Sequence, residues 1–468
     1  MECKYIKYVI LVGVFLFVGL TSCQVVNKYK APETEGENLY RGEIPGDTTT
    51  IANISWREYF IDPHLQSLIE EGLKQNYDLK IAYSRIQQAE ANLMITRSGY
   101  FPTAVLVGQI QHNRTSVKDG VKDVLGYGST QYGLGVAVQW EVDIWGKINR
   151  QTRAKYAQFL STHAYRNLIQ TSLIANIATS YYSLLALDEQ LKITQGMVGL
   201  LEESTATMQD MMQAGLLNGA AVEQSKSLQY STQVSIPDIE NQIAQLENSL
   251  SLMLGRNPGN ILRRTLEDQT VPKEMKHGIP AQMLARRPDV IQAELGFRNA
   301  FELKNAAIAA LYPSITLSSG SMIGFGATTL SDFFKPENLL ANIIGGLTQP
   351  LFAGNQLRGQ VKIMKAQQEE ALFAFQKTVL AAGQEVSNIL FTFESSLKKN
   401  EFRNKQVESS GTAVYFTQEL LKAGEANYTE VLNAQQNLLR AELGQVSDKL
   451  EQLQATVNLY RALGGGIE

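Results

Sequence analysis

Side chains that could do chemistry are few in this chain, and they form no catalytic or metal-binding pattern. The only two cysteines, Cys3 and Cys23, lie within the first 23 of 468 residues. This excludes a disulfide framework, a cysteine-based zinc site and a cysteine nucleophile from the rest of the chain. No two of the four histidines have the spacing of metal ligands on a helix; they are His64, His112, His163 and His277. We therefore expect no enzyme, no bound metal and no cofactor.

The sequence around Cys23 indicates covalent lipidation of this cysteine. Lys4 and Lys7 precede an apolar run of 12 residues ending at Leu20, which suits a signal-peptide core and is too short to span a bilayer. The following Leu20-Thr21-Ser22-Cys23 resembles the bacterial lipobox, whose cysteine is acylated and becomes the mature N-terminus. We expect a signal peptide over 1–22, a covalent lipid on Cys23 and a lipid-anchored segment over 23–60. The alternative is a stray cysteine beside an ordinary signal peptide.

The composition favours long helices over an ordinary enzyme fold. The chain has 12 prolines, 44% apolar residues and 19% charged residues. Lysine and arginine number 42 against 46 aspartate and glutamate residues, so the formal charge is −4. Because there is no basic excess, we do not expect nucleic acid as a partner.

The body of the chain is a twofold internal repeat, in which three stretches recur in the same order. The pairs are 78–102 with 289–313 at an offset of 211, Gly146 and Arg150 with Gly354 and Arg358 at 208, and 214–255 with 423–464 at 209. We assign the first structural repeat to 61–270 and the second to 271–468.

Each repeat has the same predicted layout: a helix ending before a proline, two strands, and a long helical hairpin. In the first repeat these are a helix over 77–100, strands near 103–112 and 131–141, and a hairpin over 148–256. In the second they are a helix over 288–312, strands near 314–323 and 342–350, and a hairpin over 355–463. Gly-rich loops are expected over 113–130 and 324–340. The strand near 131–141 alternates apolar and polar residues cleanly, whereas those of the second repeat alternate poorly.

The strands have the length and pattern of a membrane β-barrel wall, mainly apolar outside and polar inside. Four strands in one chain leave two open edges, and unpaired backbone is too costly in lipid, so several chains must close the barrel. The long helices are about 100 Å long at 1.5 Å per residue and would reach deep into the periplasm. A rival interpretation makes the uncharged stretch 305–331 a transmembrane helix. Pro313 and the Ser/Gly clusters in this stretch argue against it.

The chain resembles TolC-type outer-membrane efflux channels, especially their lipoprotein branch. The residues that carry the resemblance are Trp56, Phe60-Ile-Asp-Pro-His-Leu65, Asn76-Tyr-Asp-Leu79, Ala285-Arg-Arg-Pro-Asp-Val290, Tyr312-Pro-Ser314, Pro350-Leu-Phe-Ala-Gly354, Val431-Leu-Asn-Ala434 and Leu459-Tyr-Arg-Ala-Leu-Gly-Gly-Gly466. The resemblance implies a mainly α fold with a membrane β-barrel portion: a homotrimer with a 12-stranded barrel joined to a periplasmic α-barrel. It also implies a passive conduit in the outer membrane that works with a periplasmic adaptor and an inner-membrane pump.

Drug or small-molecule efflux is the function we expect, and the same fold serving protein secretion or metal-ion efflux is the alternative. An envelope structural lipoprotein or a hydrolase is a more distant possibility. Neighbouring genes for a drug pump or for a peptide exporter would separate the first two.

Two sets of residues are candidate sites. Aromatic side chains at the periplasmic ends of the strands suit the membrane interface; they are Tyr100, Phe101, Trp140, Trp145, Tyr312 and Phe352. The resemblance implies a pore gate at the periplasmic tip, where the positions of Glu430 and Asn433 commonly carry acidic residues that face the pore. Tyr428 and Leu432 are their apolar neighbours and complete the candidate gate. Glu430 and Asn433 share a helix face. We expect Glu430 to keep an acidic ring, and Tyr428 and Leu432 to close the pore by hydrophobic contact.

Overall fold

The computed structural model describes residues 28–33, 39–41, 50–113, 129–272, 275–278 and 280–467. The predicted signal peptide and Cys23 lie outside these residues. The chain divides into two compact units. The sheet unit comprises Met1–Pro32, Gln87–Ser161 and Ala293–Phe375, and the helical unit comprises Glu33–Ile86, Thr162–Gln292 and Gln376–Glu468.

The order of elements shows the repeat directly. The first repeat contains α1 (Trp56–Tyr59), α2 (Pro63–Gln75), α3 (Tyr77–Ser98), β1 (Thr103–Asn113), β2 (Ser129–Val142), α4 (Lys147–Gln213) and α5 (Gly219–Met253). The second contains α6 (Pro280–Arg286), α7 (Pro288–Ala309), β3 (Ser314–Ser318), β4 (Ile323–Ala327), β5 (Leu339–Leu340), β6 (Ile344–Thr348), α8 (Gln356–Ala423) and α9 (Tyr428–Ala462). Short 3-10 turns occur at Ile51–Asn53 and Pro336–Asn338.

Helices α4 and α8 are unusually long, with 67 and 68 residues. At 1.5 Å per residue each is about 100 Å long. Within the described residues, none of the helices combines the length and the apolar composition that a membrane crossing requires. The uncharged stretch 305–331 is not a single helix, because it includes strands β3 and β4.

The strands of the sheet unit form one antiparallel sheet. Strand β1 pairs with β2 along its whole length, from Thr103 opposite Gln139 to Asn113 opposite Ser129. On its other side β2 pairs with both β3 and β4, and these pair in turn with β6 and β5. In the described part of the chain, β1 and the β5–β6 strand are therefore the two edges of the sheet.

The two faces of this sheet differ in polarity, as the alternation in β2 predicts. On one face Val136 lies between Leu106 of β1 and Ile323 of β4. All three side chains are exposed in the single chain. On the opposite face Glu141 lies beside Thr316. We call these the apolar face and the polar face of the sheet.

The strands of the second repeat differ from the sequence prediction. The predicted strand 314–323 is two strands, because four residues separate Ser318 from Ile323 where β2 has only two between their partners. The extra residues form a bulge, and the Ser319 amide and hydroxyl bond the backbone of Val138 at 2.9 and 3.0 Å. Strand β3 also alternates well, since Ile315 and Leu317 share the apolar face, contrary to the expectation of poor alternation.

The predicted loop over 324–340 is also wrong at both ends. Strand β4 continues to Ala327, and Leu339–Leu340 form β5. The glycines that suggested a loop are instead required by close strand pairing. A Cβ atom on Gly324 would lie 2.2 Å from the carbonyl oxygen of Leu134. The remaining predicted strand, 342–350, is restricted to Ile344–Thr348.

The helical unit has a large apolar core. Side chains of α1 and α2 pack with the middle of α4, the end of α5 and the second half of α9. Trp56, Leu65, Ile177 and Tyr181 are each at most 2% exposed. Asp62 joins these parts, since its carboxylate accepts hydrogen bonds from the His64 amide at 2.9 Å and the Tyr181 hydroxyl at 2.7 Å.

Helices α5 and α9 are the second helices, or return helices, of the two hairpins. Each ends at a junction with the residue that precedes α3 or α7 in the same repeat. At the first junction, Asn76 donates to the carbonyl of Met253, the last residue of α5, at 2.8 Å. Its side-chain oxygen also accepts from the Leu79 amide at 3.0 Å. Gly255 has a φ of 69°, and a Cβ atom on it would lie 2.6 Å from the Gln75 carbonyl oxygen.

The second junction repeats this geometry with a charged side chain. Arg287 donates to the carbonyl of Ala462, the last residue of α9, at 2.9 Å. It also makes a two-pronged ion pair with Asp289 and bonds Glu385 at 2.7 Å. Burial alone would lower the pKa of Arg287, but the hydrogen bonds and charges of the two carboxylates outweigh it and raise the pKa.

Candidate channel gate and membrane rim

Both helical hairpins turn through the same backbone structure, at the first tip (residues 214–219) and the second tip (residues 423–428). At the second tip Gly424 has a φ of 77°, and the amides of Gly424 and Glu425 bond the carbonyls of Leu421 and Leu420. This double closure by a left-handed glycine is the Schellman motif. Asn427 then caps α9 by accepting a hydrogen bond from the Thr429 amide at 3.1 Å.

The first tip has the same backbone and a different surface. Gly215 has a φ of 73°, and Asn218 caps α5 by accepting from the Ala221 amide at 3.1 Å. Between these caps stand two leucines, and Leu216 is 69% exposed. The second tip has Glu425 and an alanine in their place. The two tips are thus alike in geometry, and only the second carries acidic side chains.

Glu430 and Asn433, the two predicted gate residues on one helix face, are both exposed in the first two turns of α9. The Glu430 carboxylate forms no ion pair with the described residues, so its charge is free to act on ions in solution. A carboxylate near a helix N-terminus is also favoured by the helix dipole.

The sequence analysis assigned Leu432 to hydrophobic closure of the pore, but the structure buries its side chain within the chain. It is 9% exposed and belongs to a tip cluster that joins the two hairpins, formed by Met208, Val222, Leu421, Val431 and Leu432. Tyr428 is half-buried against the same cluster. The reason is the helix period: Val431 and Leu432 lie on the side of α9 opposite Glu430 and Asn433. These apolar residues therefore hold the tips together within one chain.

The predicted rim aromatics fall into two pairs and two isolated residues. The Trp140 indole donates to the Tyr100 carbonyl at 2.9 Å, which places both residues where α3 and β1 meet β2. Trp145 donates to the Pro313 carbonyl at 2.7 Å and stacks on Tyr312 with ring centroids 5.1 Å apart. The other two predicted side chains are highly exposed: Phe101 at 69% and Phe352 at 94%.

Comparison with known proteins decides the family. Residues 68–256 and 279–465 both match the family described as outer membrane efflux protein. The chain belongs to this family. The two matched stretches correspond to the two repeats.

Individual members of the outer membrane efflux protein family cover nearly the whole chain. The probable outer membrane lipoprotein SilC of Salmonella typhimurium is 25% identical over 455 residues, 97% of each chain. The antibiotic efflux pump outer membrane protein ArpC of Pseudomonas putida is 28% identical over 464 residues, covering 96% of this chain and 93% of ArpC. The structure of the outer-membrane channel OprN superposes with a TM-score of 0.87 at 24% identity, covering 95% of this chain and all of the other.

The family membership confirms the mainly α fold with a membrane β portion and the location in the outer membrane, as predicted. The chain is an outer-membrane component of an efflux system, and its family is one of transport channels. Among the described residues, no group of three or more His, Cys, Asp or Glu side chains is placed to hold a metal ion.

Sequence reasoning named the Arg-Arg-Pro-Asp stretch as a family resemblance and gave it no role. The structure shows that Arg287 ties the end of α9 to the start of α7 by donating to the Ala462 carbonyl. Arg286 donates to the Ala52 carbonyl in the 3-10 turn Ile51–Asn53. The repeat contained a signal for this role, since Arg287 and Asn76 occupy equivalent positions at the offset of 211. The role could not be interpreted without the contact between Arg287 and Ala462, which are 175 residues apart.

Proposed function

We propose that three copies of this chain form a passive conduit through the outer membrane, closed by a 12-stranded barrel. The observation that carries this proposal is the sheet with two open edges. Strand β1 pairs with β2 only, and β6 pairs with β3 only, in the described part of the chain. A strand edge cannot face lipid, because each unpaired backbone group there costs several kcal/mol.

The strand directions allow copies to close the barrel in the usual antiparallel way. Because β1, β2, β3 and β6 alternate in direction, β6 of one copy runs antiparallel to β1 of the next. Each copy contributes four strands, counting β3 with β4 and β5 with β6 as interrupted strands. Three copies then give 12 strands, an even number typical of bacterial outer-membrane barrels.

Native mass spectrometry of the detergent-solubilised protein tests this assembly. We expect one dominant species of three copies that survives removal of bound lipid. A folded monomer as the dominant species, at concentrations where its helices are intact by circular dichroism, would overturn the trimer.

We propose further that Cys23 carries the lipid anchor on the membrane side of the molecule. The nearest described residues support this placement. Tyr29 packs on α7, where its hydroxyl donates to Glu294 at 3.2 Å and its ring meets Phe301 edge-on at 5.6 Å. Tyr29 thus lies against α7, the helix that leads into β3.

Intact-mass analysis tests the anchor. A mature chain beginning at Cys23 with an acyl adduct is the expected result, and Cys23→Ala should lose the adduct. A mature chain that begins elsewhere, with a free thiol at Cys23, would contradict the anchor and leave the barrel proposal untouched.

The gate proposal places Glu430 on the wall of the conduit near its periplasmic mouth. It is supported by the exposed face that Glu430 shares with Asn433 and by the length of α8, which is about 100 Å at 1.5 Å per residue. Three copies would bring three carboxylates into one ring. Such a ring favours cations.

The cargo and the partners are proposed from the family alone. ArpC is named for antibiotic efflux, and drugs or other small molecules are the cargo we propose here, passed on by a periplasmic adaptor and an inner-membrane pump. Deletion of the gene would decide between these cargoes. The measurements are sensitivity to antibiotics, sensitivity to metal salts, and the amount of protein secreted. Antibiotic sensitivity alone supports the proposal, whereas loss of protein secretion or metal resistance alone supports the alternative.

A further inference from the structure

The loop between β4 and β5 carries an aromatic cluster that the rim prediction did not include. We define the loop cluster as Phe325, Phe333 and Phe334. The ring centroids of Phe333 and Phe334 are 5.0 Å apart, and that of Phe325 lies 6.4 and 5.6 Å from them. Phe333 is only 7% exposed, whereas Phe334 is 71% exposed. The loop therefore folds back so that one phenylalanine is buried and its neighbour faces outward.

The loop cluster lies on the apolar face of the sheet. Phe325 is directly opposite Leu134 of β2 on one side and Leu339 of β5 on the other. Both leucines are exposed, at 41% and 57%. Side chains directly opposite each other in a sheet point to the same face. The exposed ring of Phe334 is thus continuous with the surface that the proposed barrel turns toward lipid.

The loop cluster is at the end of the sheet opposite the predicted rim. Phe325 is level with Leu134, which precedes the rim residue Trp140 by six positions in β2. Six residues extend about 20 Å along a strand, and a tilt of 35–45° reduces the height to about 15 Å. The apolar band of such barrels is about 25 Å tall. Phe325 and the Phe334 ring, 5.6 Å from it, therefore lie in the outer half of the band.

The loop has the internal bonds to hold this position. Asp332 accepts a hydrogen bond from the Thr329 hydroxyl at 3.0 Å and pairs with Lys335 at 2.7 Å. The Asn338 side chain donates to the Asp332 carbonyl at 2.7 Å. Because these polar groups are satisfied within the loop, Phe334 is held on a short, ordered turn.

We infer that Phe334, supported by Phe333 and Phe325, inserts into the outer-leaflet interface of the membrane and anchors the outer rim of the barrel. The occupant of this surface is lipid, because the exposed ring continues the apolar face of the sheet. Aromatic rings favour the depth of the lipid head groups, and girdles at both interfaces are typical of membrane barrels. This inference rests on the proposed barrel and adds its second anchor.

Depth measurement with nitroxide labels tests the inference. Single cysteines are introduced as Phe334→Cys, Glu337→Cys and Leu134→Cys into the full-length protein, which is reconstituted in phosphatidylethanolamine–phosphatidylglycerol vesicles. Unsubstituted protein treated with the same reagent is the blank. Because Phe334 is largely exposed, its replacement should leave the fold intact. Glu337→Cys is the matched control in the same loop, and Leu134→Cys reports the proposed lipid face.

We expect the label at 334 to collide with oxygen more often than with an aqueous nickel complex. Its ratio of oxygen to nickel collisions should lie between the ratio at position 134 and the ratio at position 337. Equal nickel access at 334 and 337, with 134 protected, would overturn the outer anchor and leave the barrel standing. Full nickel access at 134 as well would overturn both this inference and the proposed barrel.

Discussion

The two helix junctions solve the same geometric problem with different chemistry. In each, a glycine with positive φ lies against the backbone of the last residue of the short helix, Gln75 of α2 or Arg286 of α6. The side chain of the next residue bonds the last carbonyl of the return helix. The first junction uses the neutral amide of Asn76. The second uses the guanidinium of Arg287, which is buried and held by two carboxylates. The backbone demand is common to both repeats, and the side chains that meet it have diverged.

The tips show the same division between geometry and chemistry. Both close with a left-handed glycine and an asparagine cap, so the backbone leaves little choice there. Their surfaces are free to differ, and the first tip is apolar where the second is acidic. The proposed role in ion selection is therefore assigned to the second repeat, which carries Glu430.

The largest expected effect is at the charged junction. Arg287→Ala removes the partner of Asp289 and one of the two arginine partners of Glu385, which keeps Arg461. Breaking a buried ion pair costs about 3–5 kcal/mol; because both carboxylates keep some solvent contact and Glu385 keeps a partner, we expect the lower end. Asn76→Ala loses neutral hydrogen bonds and should cost about 2 kcal/mol. Thermal unfolding followed by circular dichroism would measure both. If Asn76→Ala were the more damaging variant, the charged network would not stabilise its junction as described.

The next effect separates glycines that need space from glycines that need only a left-handed backbone. Gly255→Ala and Gly464→Ala both meet backbone atoms, at 2.6 and 3.0 Å from the new Cβ. Gly215→Ala and Gly424→Ala meet nothing within 4 Å. We expect about 1 kcal/mol of lost stability at the tips from backbone strain, and at least twice this loss at the junctions. Equal losses at all four positions in the same unfolding measurement would refute the close approach.

A smaller effect tests the difference between the tips. Glu430→Gln should reduce cation selectivity in planar bilayers because a ring of three charges is lost, and Asn433→Asp should raise it. Glu223→Gln is the matched control, since Glu223 is 73% exposed on α5 and already paired with Lys226 at 2.9 Å. We expect no change in selectivity from the control. The same shift from Glu223→Gln and Glu430→Gln would show a general surface-charge effect in place of a gate.

The smallest effect concerns the rim. Trp140→Phe keeps the ring on the apolar face and removes the 2.9 Å bond to the Tyr100 carbonyl. We expect less than about 1.5 kcal/mol of lost stability from one neutral hydrogen bond. Quenching of tryptophan fluorescence by brominated lipids should fall in this variant, because Trp140 is one of the two tryptophans predicted at the interface, with Trp145 as the other. Unchanged quenching would place Trp140 away from lipid.

The sequence predicts regular elements well where one signal decides them. The alternation in β2 and the proline after α3 require no distant contact to be interpreted. The strands of the second repeat were harder, because Gly324 and Gly326 are typical of loops by composition. Gly324 is required by the closeness of β2, because a Cβ atom on it would meet the backbone of Leu134, which lies 190 residues earlier in the chain. A Cβ atom on Gly326 would meet the Leu340 side chain of β5 at 2.6 Å. Single-residue composition carries no information about such a neighbour.

The candidate gate was only partly predictable for a similar reason. Helical spacing places Glu430 and Asn433 on one face, and both are exposed in the structure. Spacing alone does not say which other helices touch α9. Leu432 was assigned to the pore because it is close to Glu430 in sequence, whereas Met208 and Val222 of the first hairpin pack in its cluster.

Cysteine cross-linking between the two sheet edges tests the central claim most directly. Leu106→Cys in β1 is combined with single cysteines scanned through β6, Ile344–Thr348. Leu106→Cys with Val136→Cys is the control, because these residues are opposite each other within one chain. We predict that at least one register of the scan gives a covalent species of three chains under oxidation, whereas the control pair gives only monomer. Monomeric products at every register of the scan, with efficient cross-linking of the control, would contradict a barrel closed by copies of this chain.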